Sequence, residues 1–392
     1  MLDRRSLLVG GLAAATFASA PAHAWDGAFD TASARMDGLQ DVETPLLSAT
    51  TLHATRIASE TYAGWAAEGG WPAYPFTQRL SLGAQGNDVS WLRQRLAVTG
   101  DLATQYGAGT VVDSFVDAAI RRFQARHGLT VDGVAGAATF EALNRPAADR
   151  ARSLTANIPR LQAALVDDRR QVTVNVPSAQ IEMVEDGAVV LRQSAVVGQP
   201  NRATPLLSSK IHEINFNPYW HVPKSIIRRD LIPIIRRDPD YLTRMGMRIY
   251  TGNWKEVSPS SIDWSTDEAT NYVFRQEPGS RNALGRVRIN FANQHSVYLH
   301  DTPDPGLFGD ASRFHSSGCV RVQRIPEFVT WLLKDTPGWS TEAVAEFLTN
   351  GQRRDVAITN PVPVHFVYIT AWGVPAGPAQ FRKDIYSLVD GS

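Results

Sequence analysis

The chain of 392 residues carries 39 Lys and Arg against 39 Asp and Glu, a formal net charge of +0, so no overall basicity points to nucleic acid. Hydrophobic residues at 43% and charged residues at 20% suit a soluble globular chain with a core to bury, and the length suggests two or three domains. A single cysteine excludes any disulfide within the chain.

The first stretch, residues 1–24, has a charged start, an apolar run from Leu7 to Ala20, and Ala22-His23-Ala24 before Trp25, the pattern of a signal peptide with an A-x-A cleavage site. Arg4-Arg5 ahead of Ser6-Leu7-Leu8 resembles a twin-arginine signal with Asp3 in place of the usual hydroxyl residue, and ordinary secretory export fits equally. Either route places the mature chain in the periplasm, outside the cytoplasm, and no further apolar run is long enough for a stable membrane span. In that compartment thiols are normally paired, so a lone cysteine reads as an intermolecular bridge or a reactive thiol.

Residues 25–75 read as a helical lead-in that stops at Gly69-Gly70-Trp71-Pro72. A compact unit follows over 76–145. Val89, Leu92 and Leu96 recur at helical spacing, as do Val116, Ala119, Ile120 and Phe123, with Gly100 and Gly128 as helix stops. Leu82-Gly83, Gly86, Phe123-Gln124, His127-Gly128-Leu129, Asp132-Gly133, Gly136 and Thr139 complete a pattern that resembles the small three-helix peptidoglycan-binding domain of type 1. A structural spacer without ligand is the bland alternative.

Residues 146–170 are expected to be a polar, alanine-rich, helical linker. From Gln171 apolar and polar residues alternate, and Glu185-Asp186-Gly187 signals a hairpin, so 171–370 is expected to be a β-rich domain. Within it about 222–285 breaks the strand rhythm into short helices punctuated by Pro233 and Pro239, an insertion capping one side of the domain. Its Arg228, Arg229, Arg236 and Arg237 are taken as a solvated face rather than an anion site. Residues 371–392 form a tail without an assigned role. The expected fold class is α+β.

The cysteine, Cys319, lies in Ser316-Ser317-Gly318-Cys319-Val320-Arg321-Val322. Acyl transfer by a thiol needs a base or cation, donors for an oxyanion, and access. His300, at the end of the strand Ser296–Leu299, is preferred as base over His315, because a strand fixes a ring better than a loop does. The turn at Ser316, Ser317 and Gly318 offers backbone N–H groups for an oxyanion, and Gly318 permits a positive φ. Arg321 could order the loop or bind a carboxylate. Tyr298 and Trp220 are candidate lining residues, with core packing an even alternative. The nine histidines do not cluster at ligand spacing with acids, so neither a metal nor another cofactor is expected.

These residues resemble the catalytic motif of the YkuD-type L,D-transpeptidases: a histidine, a spacer, then a Gly-Cys pair with arginine two residues on. Tyr298 to Pro303, Leu307-Phe308, Asn217-Pro218 with Trp220 and Pro223, Asp263-Trp264-Ser265, and Pro278-Gly279 to Gly285 extend the likeness to the periplasmic YcbB-like subgroup. The wider family has histidine where Ser317 stands, and the subgroup has serine. The resemblance implies that Cys319 attacks the third residue of a donor peptidoglycan stem peptide, with His300 as base. It further implies a thioester resolved by the side-chain amine of an acceptor stem, giving a 3→3 cross-link. The same nucleophile would serve an L,D-carboxypeptidase or an enzyme anchoring envelope proteins. A wall-binding protein with an inert Cys319 is the alternative of another class. A papain-like protease is disfavoured, since its local signature is missing and the strand pattern disagrees. Oligomeric state is left open.

Overall fold

The computed structural model describes residues 43–76, 78–375 and 377–389. The expected signal peptide and the start of the helical lead-in lie outside the described residues.

The first helix, α1 (Ala49–Ala67), is capped by Ser48, whose side chain accepts from the Thr51 amide at 3.1 Å. Three helices, α2 (Asn87–Val98), α3 (Ser114–Arg126) and α4 (Ala137–Asn144), then build the small unit read from the sequence. Its core is the expected set: Val89, Leu92, Leu96, Val116, Ala119, Ile120 and Phe123 are all fully buried. Gly100 and Gly128 stand just past the ends of α2 and α3.

The stretch expected to be a helical linker is helical and is also packed into the fold. It folds as α5 (Ala147–Ala163), which lies along α1 and buries Leu154 and Leu161. Asn157 exchanges two 2.9 Å hydrogen bonds with Thr370, through its amide group and the Thr370 hydroxyl and N–H. A buried side-chain amide paired with backbone in this way fixes the helix to the β domain rather than letting it swing.

Eight strands close on themselves in the β domain: β3 (Ala188–Gly198), β12 (Val320–Val322), β10 (Leu299–His300), β9 (Val287–Phe291), β4 (Leu207–Phe216), β13 (Arg354–Val367), β1 (Arg170–Asn175) and β2 (Gln180–Glu185), with β2 returning to β3. β11 (Phe314–Ser316) adds to the outer edge of β3. β3 serves three neighbours in turn: residues 188–194 pair with β2, Ala195 and Val196 with β12, and Val197 and Gly198 with β11. The hairpin between β2 and β3 turns at Asp186 (φ 50°) and Gly187 (φ 78°), the doubly positive φ of a type I′ turn. Val172, Val174, Ile211, Ile214, Phe216, Leu299 and Val320 meet in the closed core, with Phe328 and Leu332 of α6 (Ile325–Leu333) packed against them.

The insertion is helical at its start, with a continuous run of helical turns from Lys224 to Arg237 that includes a π-helical stretch over Ile227–Leu231. Its second half departs from the expectation of helices alone. With β5 (Trp220–His221), which precedes the helices, it forms a four-stranded sheet in the order β5, β8 (Val273–Gln276), β6 (Met247–Tyr250), β7 (Glu256–Val257). Ile227, Leu231, Ile235, Leu242, Ile249 and Phe274 give it a core of its own. Short strands interrupted by Pro and Asp leave too little period-two pattern to be read from sequence. Arg228, Arg229, Arg236 and Arg237 are exposed, as a solvated face requires. The tail is likewise structured: β14 (Ala371–Val374) and β15 (Gly377–Phe381) form a hairpin against α1. No helix among the described residues is long and apolar enough to cross a membrane.

Candidate active site

β10 and β12 run parallel, with Leu299 opposite Val320 and His300 opposite Arg321. Val320 N–H donates to the Tyr298 carbonyl at 3.1 Å, which extends the register one residue back and sets Cys319 beside Tyr298. Side chains alternate across a strand. Leu299 and Val320 are therefore sealed in the core at 0% exposure. Tyr298, His300, Cys319 and Arg321 share the opposite face. A two-strand register thus gathers four of the residues singled out from the sequence, although they come from two segments of the chain.

The thiol is half-buried. Tyr298, through its hydroxyl and its backbone, favours the thiolate against burial, and Trp220 acts in the same way on the Tyr298 hydroxyl. Trp220 comes from β5, so the insertion reaches the nucleophile through one tyrosine. The rings of Tyr298 and His300 meet edge to face at 5.7 Å. His315, the other base candidate, faces away and pairs with Asp310 at 3.1 Å.

Burial controls the charges. It pushes the Cys319 thiol up to about 11, against the opposing pull of Tyr298, Arg321 and Arg288. Desolvating a thiolate costs more than the neighbouring groups return. Burial also pulls His300 down to about 3, with the Arg321 cation adding to the effect. His300 Nδ1 makes no hydrogen bond of standard geometry, and the Asp301 and Leu284 backbones offset only part of the cost. Arg321 is itself held below the usual guanidinium range by burial, with Asp304 and Cys319 opposing. The site therefore rests as a neutral thiol beside a neutral imidazole.

The nucleophile loop is held partly by residues singled out from the sequence and partly by others. Gly318 has φ +114°, a conformation open to glycine but strained for residues with a Cβ. Ser316 Oγ accepts from the Gly318 amide at 3.1 Å and donates to the Cys319 carbonyl at 2.5 Å. The Gly318 amide is thus already engaged, contrary to its expected oxyanion role. The Ser317 and Cys319 amides have no hydrogen-bond partner among the described residues. Behind the loop, Thr204 Oγ1 donates to the Gly318 carbonyl at 2.9 Å, and the Tyr386 hydroxyl from the tail donates to the Gly198 carbonyl at 2.5 Å. Thr204 and Tyr386 carry no motif signal. Only the fold brings them here.

Arg202 ties the loop to the insertion. Its guanidinium forks onto Asp230 at 2.7 and 2.9 Å and donates to Ser317 Oγ at 3.0 Å. Both partners of this ion pair are largely shielded, where a bidentate pair counts for more than at the open surface. Arg202→Ala should speed amide hydrogen exchange over Lys224–Arg237 by roughly tenfold, the equivalent of about 1.4 kcal/mol, while β1 and β2 stay protected. Unchanged exchange in the insertion would show that its own core holds it in place.

A groove of about 760 Å³ lies past the ends of β10 and β12, lined in part by Asp301, Thr302, Val322 and Gln323, and none of Cys319, His300, Tyr298, Arg321 or Trp220 lines it.

Two stretches of the chain match models of known families. Residues 169–339 match the model of the YkuD family, described as the L,D-transpeptidase catalytic domain. Residues 169–339 therefore form a YkuD-type domain. Cys319, His300, Tyr298, Arg321 and Trp220 all fall inside it. Residues 85–143 match a second model, described as "Putative peptidoglycan binding domain", and coincide with the three-helix unit. A protein of Haemophilus influenzae described as "Putative L,D-transpeptidase" is 36% identical over 201 residues, which cover 51% of this chain and 40% of that protein. The chain thus aligns with less than half the length of that relative. Among solved structures, an L,D-transpeptidase from Mycobacterium smegmatis matches at 14% identity and TM-score 0.25, covering 50% of this chain and 58% of that one. A segment of the L,D-transpeptidase from Xylanimonas cellulosilytica matches at 16% identity and TM-score 0.23, covering 75% and 99%.

Proposed function

We propose that this protein is an L,D-transpeptidase that acts outside the cytoplasm on peptidoglycan stem peptides, with Cys319 as nucleophile, and forms 3→3 cross-links. The observation that carries this reading is the shared face of β10 and β12, which sets a half-buried thiol beside a buried imidazole and an arginine. The peptidoglycan-binding unit supports the substrate class, and the pattern of residues 1–24 supports export.

The chemistry follows from the resting charges. Cys319 Sγ adds to the carbonyl carbon of the third stem residue while its proton passes to His300. The gap between a thiol at about 11 and an imidazole at about 3 makes that transfer uphill in the empty site. It proceeds only as charge moves on from sulfur to the carbonyl oxygen, which the Ser317 and Cys319 amides would receive. Collapse of the adduct breaks the peptide bond, and the proton leaves with the terminal D-alanine. The amine of a second stem then displaces the thioester, and Cys319 recovers a proton. Trp220 and the insertion shield this face, which favours the amine over water.

Intact-mass analysis of the protein mixed with a disaccharide tetrapeptide tests the proposal. An adduct equal to the donor minus D-alanine is expected, absent in Cys319→Ala, with 3→3 dimers among the products. Loss of D-alanine without dimers would make the protein a carboxypeptidase. No adduct and no difference from Cys319→Ala would leave a wall-binding protein with a silent thiol.

A further inference from the structure

Away from the thiol, where the three-helix unit meets the β domain, four arginines are buried around one carboxylate. Arg126 and Asp101 form a bidentate pair, both bonds 2.6 Å. Arg95, Arg150 and Arg382 are 4–8% exposed and have no carboxylate partner among the described residues. Arg95 donates to the Leu143 carbonyl and lies over Trp71; Arg150 donates to the Ala142 carbonyl and lies over Phe381. Arg382 donates to the Arg126 and Phe381 carbonyls. Carbonyls satisfy donors but do not neutralise charge. Buried guanidinium groups outnumber buried acids here, a costly state for an empty protein.

Two of these arginines face a cavity. A pocket of about 430 Å³, within the range of small-ligand sites, is lined by His127, Leu129, Arg150, Phe381, Arg382 and Lys383. His127 is 8% exposed, is stacked on Phe381 at 5.3 Å, and its Nε2 has no hydrogen-bond partner. An unpartnered ring nitrogen and two guanidinium groups thus converge on one space. Burial, then the surrounding arginines, hold the imidazole well below its usual range, so the ring rests neutral with a nitrogen to offer.

We propose that this pocket at the junction of the peptidoglycan-binding unit and the catalytic domain binds the terminal carboxylate of a short peptide. The guanidinium groups of Arg150 and Arg382 supply the charge, His127 Nε2 accepts or donates one hydrogen bond, and Leu129, Ala142 and Phe381 take the apolar body of the ligand. A monoanion is favoured over a phosphate dianion because Glu141 and Asp384 also line the rim. Such a site would let the binding unit and the catalytic domain grip one strand of wall peptide together. It is separate from the proposed acylation chemistry and stands whether or not Cys319 acylates.

The test follows the His127 ring nitrogens by NMR in the full chain while N-acetyl-D-alanyl-D-alanine is added, with its C-terminal amide and inorganic phosphate as the other arms. The acid is expected to give a saturable His127 shift, the amide none, and phosphate a smaller one. Lys383→Glu, an exposed change at the rim, should abolish the response while the melting temperature stays within a few degrees of the parent. Arg150→Met should do the same if it folds, and Lys383→Glu carries the test if it does not. No His127 shift with the acid, an equal shift with the amide, or a stronger one with phosphate would overturn the proposal. So would a full response in Lys383→Glu.

Discussion

His300→Gln is expected to slow acylation of Cys319 by about 10²–10⁴-fold, the usual worth of a positioned general base. Its amide keeps the ring's place on β10 but cannot hold the proton. The pH dependence makes the role specific. With His300 at about 3 and Cys319 at about 11, kcat/KM should be flat between those values, with no limb near the pH at which free histidine titrates. Activity falls only as the pH drops through the lower value, because protonated imidazole cannot accept the thiol proton. Alkylation of the free thiol should keep rising with pH toward the upper value. A bell centred near neutrality would instead mark a resting thiolate–imidazolium pair and would contradict the buried, neutral pair seen here. The same shift bears on stability. His300 stays neutral in the folded chain down to about 3 but titrates at about 6.5 when unfolded. The unfolded state binds the extra proton between those values, so stability declines as the pH falls across that window.

Asp101→Ala is expected to cost about 3–5 kcal/mol, because it strands the Arg126 guanidinium, 3% exposed, among other buried cations. Denaturant titration measures it. The loss should fall hardest on the junction: Arg126 also donates to the Ala379 carbonyl of β15, so the three-helix unit should detach from the β domain and become protease-sensitive first. Asp101→Asn, which keeps the shape and one acceptor, should cost less. A change under about 1 kcal/mol in Asp101→Ala would show that the cluster is solvated and that the buried positive charge is relieved some other way.

Much of the site could be read from the chain because its parts are local. Ser316 to Val322 is one turn and one strand, and Tyr298 to His300 is one strand. A lone thiol in a glycine turn followed by arginine is a signal that needs no partner to be noticed. The three-helix unit was legible for the same reason: helical spacing and glycine stops are properties of neighbouring residues. The four-stranded sheet of the insertion was not, since its strands are two to four residues long and their pairing is set by distant segments.

The sequence by itself determined the chemistry on offer: one thiol, a histidine in a strand, a glycine where the turn needs positive φ, and the helical module upstream. Tertiary structure decided the rest. The parallel register of β10 and β12 put His300 and Cys319 on one face, and burial then fixed both as neutral. Enclosure also recruited Thr204, Tyr386 and Arg202 to the loop, and packed Arg95, Arg150 and Arg382 around a single ion pair. Charge state and long-range contacts depend on what excludes water from a group, and that is a property of the folded surroundings rather than of the residue or its neighbours in the chain.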